Sequence, residues 1–395
     1  MAYGGGHAQS LIPVIKILDK MNYNCVVLGA STGAVNFRAS GIKCIDYTDL
    51  VHERNRDLVN QYGKKLLHDN YNPFSGLTRE QSISYLGLNY LNNVVREGTR
   101  SAASLYFSNG RNCFLPLDSI ETLIKDVQPD LVVTSISPRT ELAARMVAAK
   151  FGIPTIAIAD VINPESPSNP VIVDTLCVPN EFAKIRWAEK EYVVADNIVV
   201  TGNPAYDKLM DLPKVDRTSI LFLQQVNKYN FKSKEREYFG EIEFYDHFDR
   251  WENIANELDC DCEVRLHPTI DKNIFIQWSK KKRRTIKLDT QVDIATSLAS
   301  RKLVIGNFST SLTEALYLNT PVLQYLYKGQ VDTLDRFIEQ GFVKSAYIDD
   351  EEEMVNIIRQ ISSGEIDFTA EFNRFRSHYP SYPAAPNIAE QILQF

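Results

Sequence analysis

The sequence lacks an excess of positive charge. Its 395 residues carry 43 Lys and Arg against 50 Asp and Glu, a formal net charge of −7. A general nucleic-acid binder carries the opposite balance, so no nucleic-acid partner is expected. The chain also lacks an apolar run long enough to cross a bilayer. Met1-Ala2-Tyr3-Gly4 has neither the basic region nor the apolar core of a signal peptide. The expectation is a cytoplasmic protein, with at most peripheral contact at the inner membrane face. Cysteine is sparse: Cys25, Cys44, Cys113, Cys177, Cys260 and Cys262 are scattered, with no CxxC pair. That argues against a disulfide framework and a structural zinc site, and leaves reduced, mostly buried thiols as the default.

What is present is enough apolar material, 44% of residues, for two sizeable cores. The dominant rhythm is strand, loop, helix. In the first half, Asn24–Gly29 and Ile42–Asp46 read as strands, Leu117–Val127 as a helix, and Leu131–Thr134 as a buried strand. Glu141–Phe151 follows as a helix and Ile153–Ala159 as a strand. A second set begins at Ser219–Leu223. It continues through a helix at Phe244–Leu258, a strand at Cys262–Leu266, a helix at Val292–Ser300 and a strand at Leu303–Ile305. A helix at Thr310–Leu318 and a strand at Thr320–Tyr325 close it. Repeats of this kind predict α/β architecture, two Rossmann-like domains with doubly wound parallel sheets facing a cleft. The turn-rich passage from Gly202 to Pro213 divides them. The expected organisation is an N-terminal domain over 1–201, a linker over 202–215, and a C-terminal domain over 216–380. Residues 381–395 form a helix returning to the first domain. Two features resist this scheme. The chain opens on a glycine loop where a first strand belongs, so either the natural start lies further upstream or the first strand is lost or replaced. Residues 47–108 are polar and Tyr/Asn-rich, with weak periodicity.

Three constellations point to chemistry. Gly306–Leu316 leaves a strand and enters a helix, and Ser309, Thr310 and Ser311 at that helix start form an anion site that needs no lysine. Glu314, about one turn inside, is placed to accept from a ribose hydroxyl. The same residues also suit a purely structural helix cap. Arg265-Leu266-His267-Pro268 ends another strand of the same domain, where open parallel sheets bind ligands, and the two strand ends are expected to converge on one phosphate. His267 can donate to a phosphate, and Pro268 fixes the turn that aims it. In the first domain, Gly4-Gly5-Gly6-His7 precedes a helix over about Ser10–Met21. Gly5 and Gly6 allow close approach of backbone to ligand, and His7 can act as a general base. Asp160, at the end of a strand, is a second candidate base. The run is not GxGxxG, so dinucleotide binding has little support.

Other features read as structural. Asp259-Cys260-Asp261 precedes a strand, as a solvated turn does. The basic run from Lys280 to Arg284 reads as a solvated loop, with anionic lipid as the alternative. Asp246, His247 and Asp249 are expected on the surface of one helix.

Together these motifs resemble the GT-B superfamily. Val200-Thr201-Gly202-Asn203-Pro204-Ala205-Tyr206-Asp207 is similar to the TGNPxxD segment of surface-polysaccharide transferases and hydrolysing sugar epimerases. Ile305–Leu323 is similar to their donor-phosphate loop. His267-Pro268 and Ser309-Thr310 resemble the donor motifs of bacterial sialyltransferase-like CMP-sugar transferases. The resemblance implies an inverting, metal-independent glycosyltransferase of surface or capsular polysaccharide synthesis. It would move an acidic sugar from a CMP-activated donor to a glycan or lipid-linked glycan acceptor. The nucleotide-sugar is then a substrate, and no cofactor is implied. The first domain lacks the acidic D/E-D/E-G motif of those enzymes, which leaves His7 or Asp160 as base. Three alternatives remain: a hydrolysing UDP-sugar 2-epimerase, a CDP-glycerol-type glycerophosphotransferase, and a non-catalytic nucleotide-sugar-binding subunit. The epimerase needs several carboxylates in the first domain, where the sequence offers few.

Overall fold

The structure is a computed structural model. It describes residues 1–161, 169–212, 215–225, 241–258, 260–268, 270–280, 285–307, 309–329, 334–379 and 383–395. The chain divides into two compact units, Met1–Asp207 with Tyr382–Phe395, and Lys208–Ser381.

In the first unit four parallel strands stand side by side: β1 (Val132–Ser135), β2 (Thr155–Ile158), β3 (Val171–Val178) and β4 (Val193–Val200). The sheet extends past β1 through very short segments. Met1 donates its amino group to Val133 O (2.7 Å) and accepts from Ser135 N (3.3 Å). Ala2 bridges Gly29 in parallel, and Leu28 bridges Ile45. Met1–Ala2 therefore fills the place of the first strand that the sequence seemed to lack. The two runs read as full strands, Asn24–Gly29 and Ile42–Asp46, pair only through these single bridges. Numbered along the chain, the spatial order is 3-2-1-4-5-6-7. The order reverses between Met1–Ala2 and β1, and ligands of doubly wound sheets bind at such a point.

Apolar helix faces cover both sides of this sheet. The helix Gly5–Lys20 starts inside the glycine run, five residues earlier than its apolar spacing suggests, because Gly4 already serves as its N-cap. Its Ala8, Leu11, Ile12 and Val14 pack with Ile156, Ile158 and Ile388. Residues 47–108, which carry no legible period, form helices at Arg56–Asn70, Arg79–Glu97 and Thr99–Asn109. Thr78 and Gln81 make a capping box that starts the second of these. It crosses the first at a glycine contact: a Cβ on Gly87 would lie 2.0 Å from Val59 O, and one on Gly63 2.2 Å from Ile83 O.

The second unit has six parallel strands: β5 (Ser219–Gln224), β6 (Cys262–Leu266), β7 (Lys287–Leu288), β8 (Arg301–Gly306), β9 (Val322–Leu326) and β10 (Lys344–Tyr347). Their order is β7-β6-β5-β8-β9-β10, which in chain sequence is 3-2-1-4-5-6 and reverses between β5 and β8. Its core is aromatic, with Phe222 stacked on Trp251 at 4.6 Å and Trp278 against Phe248. The helix Glu241–Leu258 turns His247 into this core rather than to the surface. His247 shares hydrogen bonds with Gln224 Oε1 (3.2 Å) and the Tyr327 hydroxyl (2.9 Å). Burial pulls its pKa down to about 4. Asp246 and Asp249 do lie exposed on that helix, Asp249 accepting from Trp278 Nε1 (2.9 Å). Of the six thiols, Cys177 and Cys262 are buried and the others half-buried. Asp259 and residues 281–284 of the basic run lie outside the described residues. Among the described residues, no helix is long and apolar enough to cross a membrane.

Candidate functional site

The first unit gathers its polar groups at the strand ends flanking Met1–Ala2. His7, in the first turn of Gly5–Lys20, places Nδ1 3.0 Å from Asp160 Oδ2, just past the end of β2. The two residues proposed separately as bases therefore form one pair. An aspartate on one ring nitrogen fixes the imidazole's orientation and raises its basicity. The backbone of Asp160 is tied as well, its carbonyl accepting from Asn203 Nδ2 (3.2 Å). Asn203 Oδ1 in turn accepts from Ser10 Oγ (3.2 Å). The TGNPxxD segment thus braces the pair. Its Asp207 takes the first N–H groups of the helix Ala384–Ile392, from Ala384 (2.9 Å) and Ala385 (2.8 Å). Gly5 donates to Thr32 Oγ1 (3.1 Å), and a Cβ there would meet Asn36 at 2.9 Å. Gly6 faces open space.

Glu141 is a member of this cluster that the sequence did not single out. It begins the helix Thr140–Lys150 and is fully buried. Its Oε1 accepts from Tyr3 N and from Ser135 Oγ (3.0 Å), while Oε2 is buried without a partner. Burial raises its pKa, and the nearby charge of His7 opposes that rise. The signal available beforehand was an acid at the first turn of an otherwise Ala-rich helix, which also reads as a dipole partner.

In the second unit the named residues lie at the carboxyl edge of one sheet. Ser309 caps the helix Thr310–Tyr317, its Oγ accepting from Ser311 N (3.1 Å). Thr310 is exposed and Ser311 half-buried. A Cβ on Gly306 would press to 3.1 Å from Leu312, so glycine lets the helix start close to β8. His267 follows β6, exposed beside Pro268, with its N–H bound to Gln224 O (2.9 Å). Desolvation by its surroundings lowers the imidazole pKa. One strand, β5, separates β6 from β8, so at about 4.8 Å per strand the two ends stand about 10 Å apart. That is wider than a single phosphate. Arg265 points elsewhere: it is spent on Asp289 (2.6 Å) and on the carbonyls of Gln291 (2.8 Å) and Val292 (3.3 Å). Glu314 is half-buried, and burial lifts its pKa to about 7 against the opposing charge of Lys208. A cavity of about 610 Å³ in this unit lies at the opposite ends of the strands, beside Arg217, Lys302 and Pro321. Arg217 there is committed to Leu318 O and Asn319 O.

No family model matches the chain, and no curated protein matches it. Solved structures do. A UDP-GlcNAc 2-epimerase from Neisseria meningitidis, bound to UDP-GlcNAc, is similar with a TM-score of 0.61 at 15% identity, over 100% of this chain and 99% of that one. The Methanocaldococcus jannaschii UDP-GlcNAc 2-epimerase, in complex with UDP-GlcNAc and UDP, gives 0.57 at 15% identity, over 100% and 98%. Acinetobacter baumannii MurG gives 0.57 at 11%, over 100% and 98%. These likenesses establish the GT-B fold of two Rossmann-like units. The expected CMP-sugar transferase does not stand: UDP-GlcNAc 2-epimerases recur among the similar structures, and they favour the epimerase alternative.

Proposed function

We propose that this protein is an enzyme that epimerises a UDP-activated sugar at C2 and hydrolyses it, water supplying the hydroxyl that replaces UDP at C1. The observation that carries this reading is the cluster of His7, Asp160 and Glu141 in the first unit. An inverting transfer needs one base for one acceptor hydroxyl. Epimerisation needs a group to remove a proton from carbon and another to return one on the opposite face. The His7–Asp160 pair supplies a base, and Glu141, whose protonated form burial favours, supplies an acid. The carboxylates that such a reaction requires are thus present, although the sequence shows few. The fold shared with UDP-GlcNAc 2-epimerases supports the same reading. In the second unit, the helix start at Ser309–Ser311 and His267 bind the nucleotide's phosphates, and Glu314 accepts from the ribose.

The test is proton NMR of UDP-N-acetylglucosamine incubated with the protein in D2O. The expected result is the C2 epimer with deuterium at C2 and free UDP. Nucleotide release without C2 deuterium would overturn the proposal. His7→Ala and Glu141→Gln should each lower kcat by about 10²-fold or more.

A further inference from the structure

The first unit holds a second group of polar residues at the same strand ends, and it is cationic. Arg139 follows β1 with φ +73 and ψ −106. Non-glycine residues avoid that conformation. Its guanidinium lies 4.2 Å from the centre of the Tyr3 ring, and its Nε is buried without a hydrogen-bond partner. Arg111 approaches the same tyrosine from the turn Gly110–Cys113. Burial alone would raise the Tyr3 pKa, yet Arg139 and then Arg111 bring it below its ordinary value. Among the described residues neither arginine has an ion-pair partner within 4 Å, in a protein of net charge −7. Beside them the fully buried Glu141 keeps Oε2 unpaired. Among the described residues these arginines make no close ion pair, and only the nearby carboxylate charge of Glu141 acts on Arg139, which sits beside the sheet's reversal point.

We propose that Arg139 and Arg111 form an oxyanion subsite of the first unit, taking a phosphate or carboxylate group of the substrate. This rests on the reading of the substrate as a nucleotide-sugar. Arg139 supplies the planar fork, and the Tyr3 ring holds it in place.

Calorimetric titration tests it, using inorganic pyrophosphate, UDP, UDP-glucose and UDP-glucuronate. The proteins are the native chain, Arg139→Gly and Arg111→Gln. Arg139→Gly relieves the positive φ, so it should melt no lower than the native protein while losing about tenfold or more in affinity. Loss shared by pyrophosphate and UDP identifies a phosphate as the bound group. Loss confined to UDP-glucuronate identifies a sugar carboxylate. Unchanged affinity for all four ligands in both variants overturns the subsite. Weakened binding with no C2 exchange on any sugar keeps the subsite and removes the epimerase reading instead.

Discussion

Glu314 couples stability to pH in a direction that can be measured. Its carboxyl titrates near an ordinary 4.5 when unfolded and at about 7 in the folded protein, chiefly because burial penalises the ionised form. Below pH 4.5 both states hold the proton, and the group contributes no pH dependence. Between 4.5 and 7 the unfolded chain releases it while the folded chain does not, so stability falls as pH rises. Above 7 the loss is complete. At about 1.36 kcal/mol per pH unit, the accumulated loss is roughly 3 kcal/mol. Glu314→Gln removes this titration. Scanning calorimetry of the full chain should therefore show the variant and the native protein melting together near pH 4.5 and separating towards pH 8. At about 2–4 °C per kcal/mol, the variant should then melt roughly 6–12 °C higher. Binding runs the other way. A ribose hydroxyl donates best to the ionised carboxylate, so native affinity for UDP should rise from pH 6 to 8, and the variant's should not. Parallel melting curves across this range would show that Glu314 is solvated and ordinary, and would refute the argument.

Four further outcomes follow from particular contacts. Gly87→Ala should destabilise the first unit by about 3 kcal/mol or more in urea titration, since its Cβ would lie 2.0 Å from Val59 O. Gly6→Ala should leave that midpoint unchanged, because nothing lies within 4 Å of the added carbon; weakened nucleotide-sugar binding in calorimetry would then report close approach of a ligand. Asp207→Ala should cost about 1–2 kcal/mol, seen as early hydrogen exchange in Ala384–Ile392, whose first N–H groups it accepts. Asp160→Asn and His7→Ala should be non-additive in kcat, the double variant losing little more than His7→Ala alone, because the two act as one pair.

The doubly wound plan was legible wherever a strand is buried on both faces. Ser219–Leu223, read from its apolar run, is observed as the strand Ser219–Gln224 with every residue buried. Apolar runs announce such elements because both faces exclude water. The helix Arg79–Glu97 was illegible for the opposite reason. It buries Asn89, Asn92 and Asn93, which a hydrophobic count scores as exposed. Asn89 and Asn92 return their amide groups to the carbonyls of Tyr85 and Leu88, four residues back, at 2.8 Å. Asn93 donates instead to Cys113 O (3.3 Å), so all three amide donors find carbonyls on a buried face that carries no apolar period.

The candidate site residues were legible as a group in one unit and half hidden in the other, and the difference is one of sequence distance. The Ser309–Ser311 cap and Glu314 belong to one strand-to-helix turn, so spacing alone associates them. The cluster of the first unit is assembled from residues far apart. His7 meets Asp160 across 153 positions, and Tyr3 meets Glu141 across 138. What joins them is the parallel docking of Met1–Ala2 against β1, which places the glycine loop beside the start of Thr140–Lys150. A strand of two residues has no hydrophobic signature to read, yet it fixes the register of the whole cluster. It follows that Glu141 and Arg139 become visible as candidate site residues only once that pairing is known. Their separation from His7 in the chain, rather than any weakness in their chemistry, is what concealed them.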